Sequence, residues 1–197
     1  FEEIRMRSSH STPFRCVQLT SVMLVLVVLL TGCSSVAPED YAGETPTFRL
    51  EEYFDGDVQA WGMFQARNGE VRRRFRVDID GTVEGDSITL DERFVYADGQ
   101  RQRRVWEIER IDEHTYQGSA GDVIGTATGK RYGNALNWTY TLALDVGDRT
   151  WNLQFDDWMI LTDENTLINT AEVTKFGFRV GTVTLFFQRS DNASDET

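Results

Sequence analysis

The chain has 197 residues and a formal charge of −12, from 20 Lys and Arg against 32 Asp and Glu, which is length enough for one domain of ordinary size. The acidic balance excludes a general nucleic-acid binder, which needs a basic face, and two cysteines and two histidines exclude a disulfide scaffold or a zinc-finger cluster. With 40% hydrophobic and 12% aromatic residues the chain can bury a core.

Residues 1–32 read as a targeting signal and are set apart from the fold. Arg5, Arg7 and Arg15 form a positive stretch, with Met6 the expected start, and Val22 to Leu30 is the unbroken apolar run VMLVLVVLL. That run is far shorter than the ~20 residues that span a bilayer. Leu30-Thr31-Gly32-Cys33 follows directly and resembles the lipobox of bacterial lipoprotein signal peptides. The resemblance implies cleavage before Cys33 and lipidation of Cys33, so that acyl chains anchor the protein in a membrane. An ordinary signal peptide ending near a cysteine is the alternative. Ser34, where an Asp would retain an enterobacterial lipoprotein in the inner membrane, implies the outer membrane, on its periplasmic face. Loss of residues 1–32, with three Arg and two Glu, leaves 165 residues at −13 with Cys33 as the sole cysteine, so no disulfide is expected even in an oxidising compartment. Acyl chains contribute about 0.8 kcal/mol per buried CH₂, and the body then has no need to touch lipid.

Residues 33–47 are expected to be the acylated cysteine and a tether, since VAPEDYAGETP (36–46) holds two of the three prolines. From Phe48 onward the apolar period is two rather than 3.6. Val71, Phe75, Val77 and Ile79 alternate with Arg72, Arg74, Arg76 and Asp78; Ile88, Leu90, Phe94 and Tyr96 with Thr89, Asp91, Arg93 and Val95; Leu136, Trp138, Tyr140, Leu142 and Leu144 with Asn137, Thr139, Thr141, Ala143 and Asp145. Trp151, Leu153, Phe155 and Met159 share one face, and Val183, Leu185 and Phe187 another. Asn68-Gly69, Asp80-Gly81, Glu84-Gly85, Asp98-Gly99, Val146-Gly147 and Asp163-Glu164-Asn165 mark turns between these runs. No amphipathic helix is evident after Phe48, and no proline follows Pro46, as paired strands require.

The pattern predicts an all-β fold: one antiparallel up-and-down barrel of about eight to ten strands, lipocalin-like in scale, over residues 48–189. Residues 190–197 are expected to be a disordered tail. A membrane-spanning barrel is the rival, but its outward face would be apolar, and here one face of most strands carries Arg, Asp, Glu and Thr.

Phe54-Asp55-Gly56, Ala60-Trp61-Gly62-Met63-Phe64, Val77-Asp78-Ile79-Asp80-Gly81-Thr82, Asp156-Asp157-Trp158-Met159 and Lys175-Phe176-Gly177 together resemble a proteobacterial lipoprotein family, domain of unknown function 3833, over nearly the whole body. The resemblance implies location and single-domain architecture. The GxW start motif of true lipocalins is not matched, so likeness to them is one of fold only.

Strand parity places several polar residues among apolar neighbours. Arg73 shares a face with Phe75 and Val77, Glu92 with Leu90 and Phe94, Arg104 with Trp106 and Ile108, and Asp157 with Phe155 and Met159; Asn169 and Lys175 share parity with Leu167, Ala171 and Val173. Buried charges demand partners. They are therefore expected to contact one another, either as a polar anchor for a ligand head group or as a structural network closing one barrel end. Trp61, Trp106, Trp138 and Trp151 lie on runs assigned to the interior. The ligand-binding candidates are Arg73, Glu92, Arg104, Trp138 and Asp157.

Other constellations read as structural. Gly121, Gly125, Gly129 and Gly133 recur every fourth residue, which on one strand face allows a kink or a close approach. Asp78, Asp80, Glu84 and Asp86 lack EF-hand order, and no metal or cofactor is expected. Arg72, Arg73, Arg74, Arg76, Arg101, Arg103 and Arg104 form a basic band, either paired with acids across the sheet or offered to an anionic partner. His114 reads as a turn residue, and Asp156 and Asp157 point to opposite faces, a poor catalytic pair. The expectation is a non-enzymatic, lipid-anchored periplasmic barrel that binds a small apolar or amphiphilic, lipid-like ligand. The alternative is a structural or assembly factor of the cell envelope that docks a protein partner.

Overall fold

A computed structural model describes residues 35–189; the 1–32 leader, Cys33, Ser34 and the 190–197 tail lie outside the described residues. Ten strands follow one another: β1 (Gly56–Ala66), β2 (Val71–Glu84), β3 (Ser87–Tyr96), β4 (Arg101–Arg110), β5 (Thr115–Ala120), β6 (Ala127–Tyr132), β7 (Ala135–Val146), β8 (Arg149–Leu161), β9 (Thr166–Lys175) and β10 (Phe178–Arg189). Each pairs antiparallel with its chain neighbour. β10 returns to β1, with Val58 opposite Arg189 and Ala66 opposite Gly181, so the sheet closes as the up-and-down barrel that the alternation predicts. Closure leaves no unpaired sheet edge.

The two ends of the barrel differ. The β2–β3, β4–β5, β6–β7 and β8–β9 turns share one end with the N-terminal segment, and that end is closed. Phe48, the single helical turn α1 (Leu50–Tyr53) and Phe54 fill it, with Phe48, Leu50, Tyr53 and Phe54 all buried. Phe54 meets Phe187 edge-on at 6.0 Å and Tyr53 at 5.0 Å. Residues 48–54 are thus a plug rather than the start of a strand. A helix of one turn carries no periodic signal in sequence and holds only through packing. Glu51 on α1 ties the plug to the wall, accepting hydrogen bonds from Arg110 Nη1 and Tyr116 Oη, both at 2.8 Å.

The plug also explains Gly81. Asp80-Gly81 is not a turn but lies inside β2, which runs on to Glu84. A Cβ at Gly81 would stand 1.6 Å from the Phe54 carbonyl oxygen; only bare backbone lets the plug seat. Residues of the expected tether also lie on the barrel. A 3-10 turn, Pro38–Tyr41, brings Tyr41 to 5.7 Å from the Trp158 ring and Glu39 to 3.4 Å from Lys130 Nζ.

The outer wall is charged at mid-barrel. Asp91 on β3 accepts from Arg93 on its own strand and from Arg103 Nε at 2.7 Å on β4. Arg103 of the basic band thus has the paired arrangement: Arg93 and Arg103 are cross-strand partners, and the carboxylate between them removes the like-charge repulsion. Arg76 pairs with Asp78 at 3.1 Å.

Candidate functional site

Inside the barrel, above the plug, is a cavity of about 180 Å³. Leu50 and Phe54 form its floor, and Trp106, Trp138, Tyr140 and Phe155 dominate its wall. Trp106 meets Trp138 edge-on at 5.7 Å and Tyr140 at 5.3 Å, while Tyr140 stacks on Phe155 at 5.1 Å. These rings come from three strands, β4, β7 and β8, each placed inward by its alternation.

Two polar groups interrupt the wall. On one side Arg104 of β4 lies across from Glu92 of β3, its register partner, with Nη1 3.7 Å from Glu92 Oε2. Arg104 also donates from Nε to Asp122 Oδ1 at 3.0 Å and from Nη2 to Oδ2 at 2.8 Å. Asp122 comes from the β5–β6 connection. On the other side Asp157 Oδ2 of β8 accepts from Asn169 Nδ2 at 3.0 Å and Tyr140 Oη at 3.3 Å. Asp157 and Asn169 are 4% and 1% exposed.

Burial governs the charges. It pushes the Glu92 carboxyl up to about 7, against the pull of Arg104 and with the push of Asp122. It pushes Asp157 to about 7 as well, opposed by the hydrogen bonds from Asn169 and Tyr140. Burial, then the neighbouring Asp157, holds the Tyr140 hydroxyl protonated. For Arg104, burial disfavours the charge, but the Asp122 hydrogen bonds and the Glu92 charge outweigh it, so its pKa rises.

The structure thus brings Glu92, Arg104, Trp138 and Asp157 to one cavity, as parity predicts, although Asp157 bonds to Asn169 and Tyr140 rather than to Arg104. Arg73 does not join them. Its side chain is 42% exposed at the open rim, over the Tyr96 ring at 3.8 Å, with Gln100 Oε1 at 2.7 Å and Asp98 at 3.8 Å. Parity is right but β2 extends past the cavity here, so the inward face meets solvent. Lys175 and Trp151 also sit at this rim, with Lys175 Nζ 2.9 Å from the ring centroid. Trp61 points outward, half exposed beside Phe186 at 6.2 Å; its run, AWGMF, has no charged residue to mark the wet face. Tyr140 and Asp122 complete the site without having been singled out. Tyr140 shares parity with Trp138 and was within reach, whereas a loop position such as Asp122 carries no parity.

The remaining motifs are structural. Gly129 lies under the Trp138 ring, Gly121 and Gly125 belong to the β5–β6 connection and Gly133 to the β6–β7 turn, so the four glycines share no face. His114 stacks on Tyr132 at 4.1 Å, and its Nδ1 is 3.0 Å from the Arg131 carbonyl oxygen. Asp156 points out to Asn137. Among the described residues no group of three or more His, Cys, Asp or Glu side chains could hold a metal ion.

The family model described as protein of unknown function (DUF3833) matches residues 27–189. The chain belongs to the DUF3833 family. No curated protein matches it. Among solved structures this DUF3833 chain is similar to the S-type phycobiliprotein lyase CPES from Guillardia theta, at 11% identity and a TM-score of 0.54, over 72% of this chain and 90% of that one. At that identity the likeness is one of fold: a lipocalin-like barrel.

Proposed function

We propose that this DUF3833 protein is a non-enzymatic binding protein, held by acyl chains on Cys33 at the periplasmic face of the outer membrane, whose barrel takes a small apolar or amphiphilic ligand. The cavity carries this reading: aromatic and aliphatic walls with a few convergent polar groups are the usual make-up of a ligand site. Its volume of about 180 Å³ exceeds the ~150 Å³ that admits benzene in a dry engineered cavity. It falls short of the ~300 Å³ at which drug-sized pockets begin. A single ring or a short chain fits; a long acyl chain does not. Perturbed carboxyls in a cavity also suit acid–base chemistry, but among the described residues no Ser, Thr, Cys, His or Lys lines it, which favours binding over catalysis. The neighbour named as a lyase agrees in fold with a ligand-holding barrel. The test is titration of the purified protein with single-ring compounds, read by tryptophan fluorescence and by calorimetry. Saturation near one equivalent, weakened by Trp138→Ala, is expected; flat titrations throughout would end the reading.

A second reading rests on the outer wall. Trp61, Phe186 and Ile168 are register neighbours across β1, β10 and β9 and are 45%, 40% and 40% exposed. An apolar stripe of this kind suits an envelope assembly factor that docks a protein partner. In-cell photocrosslinking from position 61 tests it: a discrete partner adduct supports docking, and its absence leaves the stripe as ordinary surface.

A further inference from the structure

Three oxygens around the cavity lack hydrogen-bond partners among the described residues: Glu92 Oε2, Asp157 Oδ1 and Asn169 Oδ1. They come from β3, β8 and β9, and all three residues line the cavity. Each is buried, and a buried acceptor left unpaired is unfavourable. When the two carboxyls are ionised all three are of one kind, since a carboxylate and an amide oxygen accept and do not donate. The cation in the same wall is already engaged: Arg104 gives Nε and Nη2 to Asp122 and leans its Nη1 toward Glu92. The titratable groups facing the space are therefore Arg104, Glu92, Asp157 and Tyr140, with Asp122 bonded to Arg104 from the β5–β6 connection. An anionic head group would add a further acceptor to a site that already has two to spare, beside the Glu92 oxygen that faces Arg104 at 3.7 Å, and would have to compete with Asp122 for the guanidinium.

We propose that the ligand of this cavity is an apolar body carrying a hydrogen-bond-donor head, an amine or a hydroxyl, and not a carboxylic acid such as a fatty acid. The proposal rests on the ligand-binding reading above and narrows it. The head enters between Glu92 and the Asp157–Asn169 pair, where a turn of these side chains brings their buried oxygens to it, while the apolar part packs on Trp106, Trp138 and Phe155. A neutral donor satisfies one or two of the orphan oxygens. A protonated amine satisfies them and also neutralises whichever carboxylate is ionised, so charge-assisted bonds rank it first.

Four molecules of nearly equal size separate the possibilities: phenethylamine, 2-phenylethanol, 3-phenylpropanoate and ethylbenzene. Binding of each to the purified protein is measured by calorimetry at pH 8, where Glu92 and Asp157 are largely ionised, and again at pH 5, where burial keeps them protonated. Expected at pH 8 is at least a ten-fold tighter dissociation constant for the amine than for the carboxylate, with the alcohol between them. At pH 5 the amine should lose most of that advantage. Asp157→Asn should bring amine and carboxylate to within a few-fold of each other at pH 8. Should the variant fail to fold, the four-ligand ranking on the wild-type protein decides alone. Carboxylate binding as tight as amine binding, or ethylbenzene the tightest of the four, overturns the donor-head proposal and leaves ligand binding standing. No binding of any of the four overturns both.

Discussion

The indole of Trp138 lies against the bare backbone of Gly129, its cross-strand partner on β6: a Cβ at Gly129 would stand 2.4 Å from the ring. Gly118 on β5 is nearly as close, with a Cβ there 3.1 Å from the far edge of the same indole. Two glycines on adjacent strands thus hollow the wall in which the ring sits. Gly129→Ala drives the indole toward the cavity, and overpacking of this kind costs about 1–3 kcal/mol. Urea denaturation followed by tryptophan emission measures the loss, and single-ring ligands should bind more weakly to the variant. Unchanged stability would mean that the ring shifts freely.

Stability should fall as pH rises toward 8. Glu92 and Asp157 titrate near 7 in the folded protein but near ordinary carboxyl values once unfolded. Between about pH 4 and 7 the native state therefore holds more protons than the unfolded one, and stability declines with rising pH. Each group contributes on the order of 3 kcal/mol, present in full below its unfolded pKa and lost by pH 8. The groups facing them are Arg104, Asp122 and Tyr140, with Asp156 beside Asp157. Below pH 4 the exposed pairs with lowered values, such as Asp91 with Arg103 and Asp163 with its own turn, reverse the trend. Thermal melts should peak near pH 5. A midpoint at pH 8 equal to or above that at pH 5 would refute this.

The two halves of the Arg104–Glu92 contact should respond differently to substitution. Arg104→Met strips Asp122 and Glu92 of their cation, and an uncompensated buried charge costs about 3–5 kcal/mol. Glu92→Gln keeps the shape and removes a charge that burial opposes, while Asp122 still holds Arg104. It should melt at or above wild type at pH 8 and should flatten the pH dependence. Equal destabilisation by both variants would mean that the Glu92 charge is needed.

The plug is held partly by Glu51. In Glu51→Ala the fully buried Tyr116 loses the acceptor of its hydroxyl, a loss of about 1–3 kcal/mol. Amide hydrogen exchange should show faster exchange in residues 48–54 before the rest of the barrel. Uniform exchange across the barrel would mean that the plug and wall unfold together.

The anchor is tested outside the described residues. Cys33→Ala should abolish lipid labelling and release the protein from carbonate-washed membranes, or leave it uncleaved. A variant of wild-type mass that remains in the outer-membrane fraction would refute lipidation at Cys33.

Alternation along a strand is set by local geometry alone, since residues two apart share a face whatever surrounds them. The sequence by itself therefore determined the barrel class and the inward facing of Trp106, Trp138, Phe155 and Asp157, together with Glu92 and Arg104. It did not determine where along a strand the interior ends. Arg73 and Lys175 have inward parity, yet they sit at a rim where the inward side is wet. Nor did it determine which face is inside when neither is charged, as around Trp61. Contacts closed through space left no local trace: Phe54 over Gly81, Asp122 reaching Arg104 from a loop, and a one-turn helix filling one end. These were decided when ten strands closed and fixed the distances between residues far apart in the chain, which is also what placed three unpaired oxygens around one cavity.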